Sequence, residues 1–318
     1  MKLHEVIESI RSIVGNNRKI IIFGKGLTQL ITGKKPKNLD IFIQVKDKDD
    51  LQTIHAQLPY LTNIKYHLCN SFDEIEKDPI VINNIFILSD DLNNNDENIE
   101  NIIHYHKNFF RDFQRNLVSF TKNAKKNFKT EYIFEALETA VEHNFFIENK
   151  SIDIIMKNKH LVKDLYKRQI YNLLHTILQT QKPQKYIEFL NIFGISFELF
   201  GFHLNASLDY KKLEKEDFPE FIFSILKFNN EDEFKNILLN KCGVYEKDLK
   251  NFLIIYKAFH EVDLLNTNLT NIEKIYSILE GKRVLNFCRL LKLFEFNEIS
   301  KILRKYHIKK ISNDVLDQ

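Results

Sequence analysis

Residues Phe23–Phe42 read FGKGLTQLITGKKPKNLDIF, and the fold is decided here. The run that leads in, Lys19–Phe23 (KIIIF), is continuous, apolar and β-branched, and Gly24 ends it, the pattern of a buried strand. Leu27–Thr32 predicts a short helix stopped by Gly33, with Pro36 beyond it. Leu39–Val45 (LDIFIQV) predicts a second strand. In the turn between strand and helix, Gly24, Lys25 and Gly26 are candidate phosphate-binding residues. Glycines there let backbone N–H groups approach an anion closely, and Lys25 adds a positive charge. At the start of the second strand Asn38 and Asp40 stand two residues apart, so they project from the same face.

Working outward, Val6, Ile7, Ile10, Ile13 and Val14 recur at helical spacing. Leu51–Leu58 reads as a helix, Ile64–Leu68 as a strand and Ile80–Leu88 (IVINNIFIL) as a strong strand. Ser89–Asn101 is acidic, rich in Asn and without period, hence a loop. From Glu131 onward nearly every segment carries a 3.6-residue period. Strands with helices first and helices alone afterwards predict an α+β protein, with an α/β head followed by an all-α neck and body. The expected divisions are a head over 1–128, a neck over 129–200 and a body over 201–318.

The chain has 318 residues, 44% hydrophobic and 28% charged, with 27 Phe, 12 Tyr and no Trp, the composition of a soluble globular protein. A net charge of +3 permits a polyanionic partner without requiring one. Cys69, Cys242 and Cys288 form no CxxC pair, so neither a disulfide framework nor a zinc site is expected, and a reducing cytoplasm fits. The first residues, MKLHEVIESIRSIVG, carry charges inside their apolar pattern, unlike a signal peptide, and no apolar run is long enough for a membrane span.

Phe23–Phe42 resembles the active-site signature of the bacterial tRNA nucleotidyltransferase and poly(A) polymerase family, roughly GGAVRDLLLGRxPxDxDI. Ile80–Phe86 resembles that family's RRDFTINAL, with Asn83 at the shared Asn and Asp78-Pro79 where Arg-Asp would fall. Ala136, Ala140, Phe145 and Ile147 fall where the family reads RxLRAxRFAxxLGFxI, and its arginine positions are occupied by Tyr132, Glu135, Glu138 and Glu142. Lys167–Leu178 with Pro183–Ile195 is similar to the family's neck, and Phe221–Tyr256 to its body helices, so the likeness spans about Lys19 to Phe259.

The resemblance implies a nucleotidyltransferase head in which two aspartates hold the magnesium ions that drive nucleotide transfer. Asp40 stands at the second of those positions and Asn38 at the first. Magnesium prefers charged oxygen ligands, so Asp40 alone would hold one ion weakly, and no cofactor is expected unless the chain is active. Asp47, Asp49, Asp50, Asp90 and Asp91 follow strands as solvated turns, not as substitute ligands. Glu135, Glu138 and Glu142, at i, i+3 and i+7, place three negative charges on one helix face, which either repels a triphosphate or faces solvent.

Lys107, Arg111, Arg115, Lys122, Lys125, Lys126 and Lys129 are interleaved with Phe109, Phe110, Phe113, Phe120 and Phe128, a pattern suited to a phosphate backbone and stacked bases. The bland alternative is an amphipathic helix with core phenylalanines and solvated lysines. Lys301, Arg304, Lys305, Lys309 and Lys310 form a second cluster. His104 and His106 lack a third ligand at metal spacing. The leading expectation is a nucleotidyltransferase-like protein with a decayed metal and NTP site that binds a tRNA-like RNA. The alternatives are an active divergent enzyme adding CCA or poly(A), and a scaffold for a protein partner.

Overall fold

The computed structural model describes residues 3–15, 18–31, 39–45, 52, 64–69, 78–88, 103–266, 268–279 and 283–316. Asn38, Gly33, Pro36, the loop Ser89–Asn101 and the five aspartates Asp47, Asp49, Asp50, Asp90 and Asp91 lie outside them, as does the helix expected at Leu51–Leu58 apart from Gln52. The chain divides into two compact units, Met1–Ile154 and Ile155–Gln318.

In the first unit α1 (Leu3–Val14) precedes β1 (Ile20–Phe23), α2 (Lys25–Ile31), β2 (Leu39–Gln44) and β3 (Ile64–Cys69). A 3-10 turn (Val81–Asn83), β4 (Ile85–Leu88) and β5 (Ile103–Tyr105) follow. Among the described residues the strands form a five-stranded mixed sheet in the order β3-β2-β1-β4-β5. Strand β1 runs antiparallel to β2 and β4, β2 runs parallel to β3, and β4 antiparallel to β5.

Alternation along the strands gives the sheet two unlike faces. Ile20, Ile22, Leu39, Ile41, Ile43, Ile85 and Ile87 are all fully buried. Helix α2, carrying buried Leu27, packs on β1, β2 and β4. Burying an Ile or Leu contributes about 2 kcal/mol each, so this layer fixes the register and with it the opposite face. There Phe23 pairs with Asp40 and with Phe86, Phe42 with His67, and Phe86 with His104.

The chain continues with α3 (Phe109–Gln114), β6 (Leu117–Val118), α4 (Lys122–Lys126), α5 (Glu131–His143), β7 (Phe146–Ile147) and α6 (Asn149–Asn158), which includes the division at Ile154. Strands β6 and β7 make a small parallel pair. Helix α5 is buried almost all round: Ile133, Ala136, Leu137 and Ala140 are fully covered, and Thr139, Glu142 and His143 are buried too.

Several expectations are corrected. Helix α2 begins at Lys25 rather than Leu27, because the Gly24 carbonyl already accepts the N–H groups of Leu27 and Thr28, both at 3.1 Å. Ile80–Leu88 is not one strand. The Asn84 side-chain amide reaches back to the Ile80 carbonyl at 2.8 Å and to that of Asp78, which coils Val81–Asn83 and leaves Ile85–Leu88 as the strand. The basic stretch from Lys107 is two short helices around β6, not one amphipathic helix.

The second unit is helical: α7 (Lys167–Gln179), α8 (Pro183–Ile192), α9 (Ile195–Phe200), a 3-10 turn (Tyr210–Lys212), α10 (Phe218–Ile225), α11 (Glu231–Asn240), α12 (Glu246–His260), α13 (Leu269–Ile278), α14 (Arg283–Leu293) and α15 (Asn297–Leu316). Its core is aromatic, with Tyr186, Phe200, Tyr210, Phe221, Phe234 and Phe287 fully buried. Helices α10 and α12, α11 and α12, and α14 and α15 pack in pairs. Cys242 and Cys288 are buried free thiols whose pKa values burial raises, Cys288 to about 11, so both are poor nucleophiles. No helix among the described residues is long and apolar enough to cross a membrane.

Candidate functional site

The motif region converges on the end of β1. Gly24 has φ +83°, a conformation that favours glycine, and its N–H donates to the Ile85 carbonyl at 3.0 Å. The turn is therefore bonded into the sheet, and the Gly24 N–H is engaged there. Gly26 is buried in the first turn of α2. Lys25 is half-buried, and its Nζ lies 2.8 Å from Glu138 and 2.9 Å from Glu142. Burial opposes the ammonium charge, but the two carboxylates outweigh it and raise the Lys25 pKa. Gln29 donates to Glu142 at 2.8 Å, completing a buried cluster that joins α2 to α5 across 113 residues of sequence.

The acidic face of α5 is thus neither a solvated stripe nor an open row of charges. Glu142, with a side chain only 3% exposed, is neutralised by Lys25 and oriented by Gln29. Thr139 on the same helix accepts from Asn83 at 3.3 Å, and Thr28 donates to the Ile82 carbonyl at 2.9 Å. The second resemblance motif is in this way latched between the two helices.

Asp40 is half-buried on β2, and its Oδ1 lies 3.0 Å from His67 Nε2 on β3. His67 stacks on Phe42 at 4.6 Å between ring centroids, and Phe42 meets Phe23 edge-on at 5.9 Å. Beside Phe23 opens a cavity of about 460 Å³, lined also by Asp78, Lys129, Glu131, Tyr132 and Glu135. Desolvation raises the Asp78 pKa to about 6, against hydrogen bonds to its carboxylate, and the Asp40 charge adds to the rise. Glu135 is raised further, to about 8, first by burial and then by the charges of Asp78 and Glu138. The cavity disfavours additional negative charge.

Among the described residues, the donors around Asp40 do not make up a site for two divalent ions. One Asp40 oxygen is engaged by His67, and the position two residues earlier carries a neutral amide. Among the described residues no group of three His, Cys, Asp or Glu side chains is arranged to hold a metal. His104, stacked on Phe86 at 4.8 Å, and His106, whose Nδ1 accepts the Asn108 N–H, do not alter this.

The basic stretch divides by role. Arg111 donates to Asp112, a fully buried carboxylate that also accepts from Ser119, so this arginine neutralises an interior charge. Lys125 faces Glu148 at 3.5 Å. Lys107, Arg115, Lys122 and Lys126 are exposed. Phe109 and Phe120 are core residues, Phe113 stacks on Phe109 at 5.6 Å, and only Phe110, at 49%, is a largely exposed ring among those five. Sequence reasoning did not single out His67 or the pairing of Asp78 with Glu135. Neither has a local signal: His67 is brought to Asp40 by strand register, and Asp78 to Glu135 by the latch on α5.

No protein-family model matches the chain, and no curated protein matches it. Solved structures do share its fold. The CCA-adding enzyme of Bacillus stearothermophilus in complex with CTP matches with a TM-score of 0.72 at 14% identity, over 98% of this chain and 83% of that one. A CCA-adding enzyme in complex with ATP matches with 0.65 at 15% identity, covering 98% and 82%. An apo tRNA-processing enzyme matches with 0.64 at 13% identity, over 98% of this chain and the whole of the other. Likeness at this identity is a likeness of fold.

Proposed function

We propose that this chain is a degenerate member of the tRNA nucleotidyltransferase and poly(A) polymerase family that binds a tRNA-like RNA without adding nucleotides to it. One observation carries the loss of chemistry. The Lys25 ammonium, in the turn where a triphosphate would lie, is neutralised by Glu138 and Glu142, and the adjoining cavity is lined by Asp78, Glu131 and Glu135. A triphosphate brought there meets a cavity lined by three acidic side chains and one lysine, Lys129, a setting that disfavours further negative charge. With Asn38 in place of a carboxylate, the charges that would offset this repulsion are missing too.

RNA as the partner is supported by the fold shared with enzymes that process tRNA and by the exposed Lys107, Arg115, Lys122 and Lys126. The division into a head over 1–128, a neck over 129–200 and a body over 201–318, and residence in the cytoplasm, belong to the same proposal. The test is to incubate the protein with tRNA lacking its 3′ end, labelled CTP or ATP, and magnesium. No incorporation above a blank is expected, and none from Asn38→Asp either, because the acidic cavity remains. Efficient incorporation by the wild-type chain would overturn the reading.

A further inference from the structure

Strand β5 ends at Tyr105 and helix α3 begins at Phe109, and the short turn between them holds two aromatic side chains half in water. Tyr105 is 46% exposed and Phe110 49%. Their ring centroids lie 4.5 Å apart with the planes at 75°, an edge-to-face pair. Both rings rest on the buried Phe109, at 6.0 and 5.5 Å. Phe109 stacks in turn on Phe113 at 5.6 Å, and Phe113 meets Phe145 edge-on at 5.9 Å. The pair is therefore braced by the core. The charge that this stretch shows to solvent has one sign. Asp112 is the only acid between Ile103 and Lys129, and it is fully buried, accepting from Arg111 and Ser119. Lys107, two residues after Tyr105 and three before Phe110, is exposed, as is Arg115 at the end of α3. The Arg111 side chain is itself half-exposed beside the carboxylate it neutralises.

We propose that Tyr105 and Phe110 form a stacking platform for an unpaired base of the bound RNA, with Lys107 on a neighbouring phosphate. Braced rings bordered by cations alone complement a partner that is flat and apolar on its faces and anionic along its length. A single strand has that character, because its bases are free to leave one another and stack on a side chain. In a duplex the same faces are already covered. The proposal rests on the RNA-binding function given above and deepens it, naming a single-stranded segment as the part of the RNA held here.

The test uses the full chain and three probes: a tRNA transcript, a short single-stranded oligoadenylate carrying one 2-aminopurine, and an RNA duplex of the same length. The emission of 2-aminopurine is quenched when it stacks on an aromatic ring. Tyr105→Leu and Phe110→Leu keep apolar bulk and remove a ring, whereas Tyr105→Phe and Phe110→Tyr keep the ring. Phe197→Leu, at an exposed ring of α9, is the control. Each Leu variant should bind the oligoadenylate about tenfold more weakly and lose quenching, with the slope of log K against log salt unchanged. The ring-keeping variants and Phe197→Leu should match wild type. Lys107→Ala should lower the slope by about 0.7 and keep the quench. Equal losses toward oligoadenylate and duplex, or equal losses in the ring-keeping and Leu variants, mark a structural role and overturn the platform. If wild type binds the transcript but not the oligoadenylate, or if every variant binds the oligoadenylate equally, the platform falls. The RNA-binding function then stands, and the two rings are left to a protein partner. If wild type binds none of the three probes, that function and the platform fall together.

Discussion

Lys25 stands 2.8 and 2.9 Å from two carboxylates, one of them almost wholly buried, so its removal does more than delete a charge. Lys25→Met removes the ammonium 2.9 Å from the buried Glu142 and should destabilise the fold by about 3 kcal/mol, read from urea unfolding. Adding Glu142→Gln should restore most of that loss, since no buried charge is then stranded. Glu135 makes a separate, pH-dependent contribution. Its folded pKa of about 8 lies above the ordinary carboxylate value. Its contribution is therefore fully present below about pH 4.5 and is lost as pH rises through about 8. Between pH 6 and 9 the melting temperature of Glu135→Gln should fall less than that of wild type, and a parallel decline would contradict the assignment.

Between elements, backbone approach sets the strictest limit. Gly243 joins α11 to α12 with φ +71°, and a Cβ there would lie 2.0 Å from the Lys167 carbonyl oxygen at the start of α7. Gly243→Ala should cost more than the 1–2 kcal/mol of a left-handed residue, because backbone as well as side chain must move; the urea midpoint reports it. This constraint shows what the sequence can and cannot carry. The β1–α2–β2 unit was legible because an apolar run, a glycine and a second alternating run are local signals. The split of Ile80–Leu88 was not, because it depends on Asn84 bonding back to Ile80. The phenylalanines near Lys107 were ambiguous for the same reason. Whether a ring faces core or solvent is decided by Phe145, Phe128 and Tyr132, which arrive from later in the chain.

At the scale of the whole molecule, a fold shared at 12–15% identity is held by the pattern of burial rather than by particular residues. That is why the architecture could be read from a motif and a succession of periods, while the state of the site could not. The charge pairing of Lys25 spans 113 residues to Glu138 and 117 to Glu142, with Gln29 beside it, and no local pattern announces it. The same tie constrains the order in which this sequence can change. Replacing Glu142 with an arginine while Lys25 is present sets a buried cation against the half-buried Lys25 ammonium, and removing Lys25 first takes the nearest cation from a buried carboxylate. Either single step passes through a less stable protein, so natural variation should alter positions 25 and 142 together or leave both unchanged.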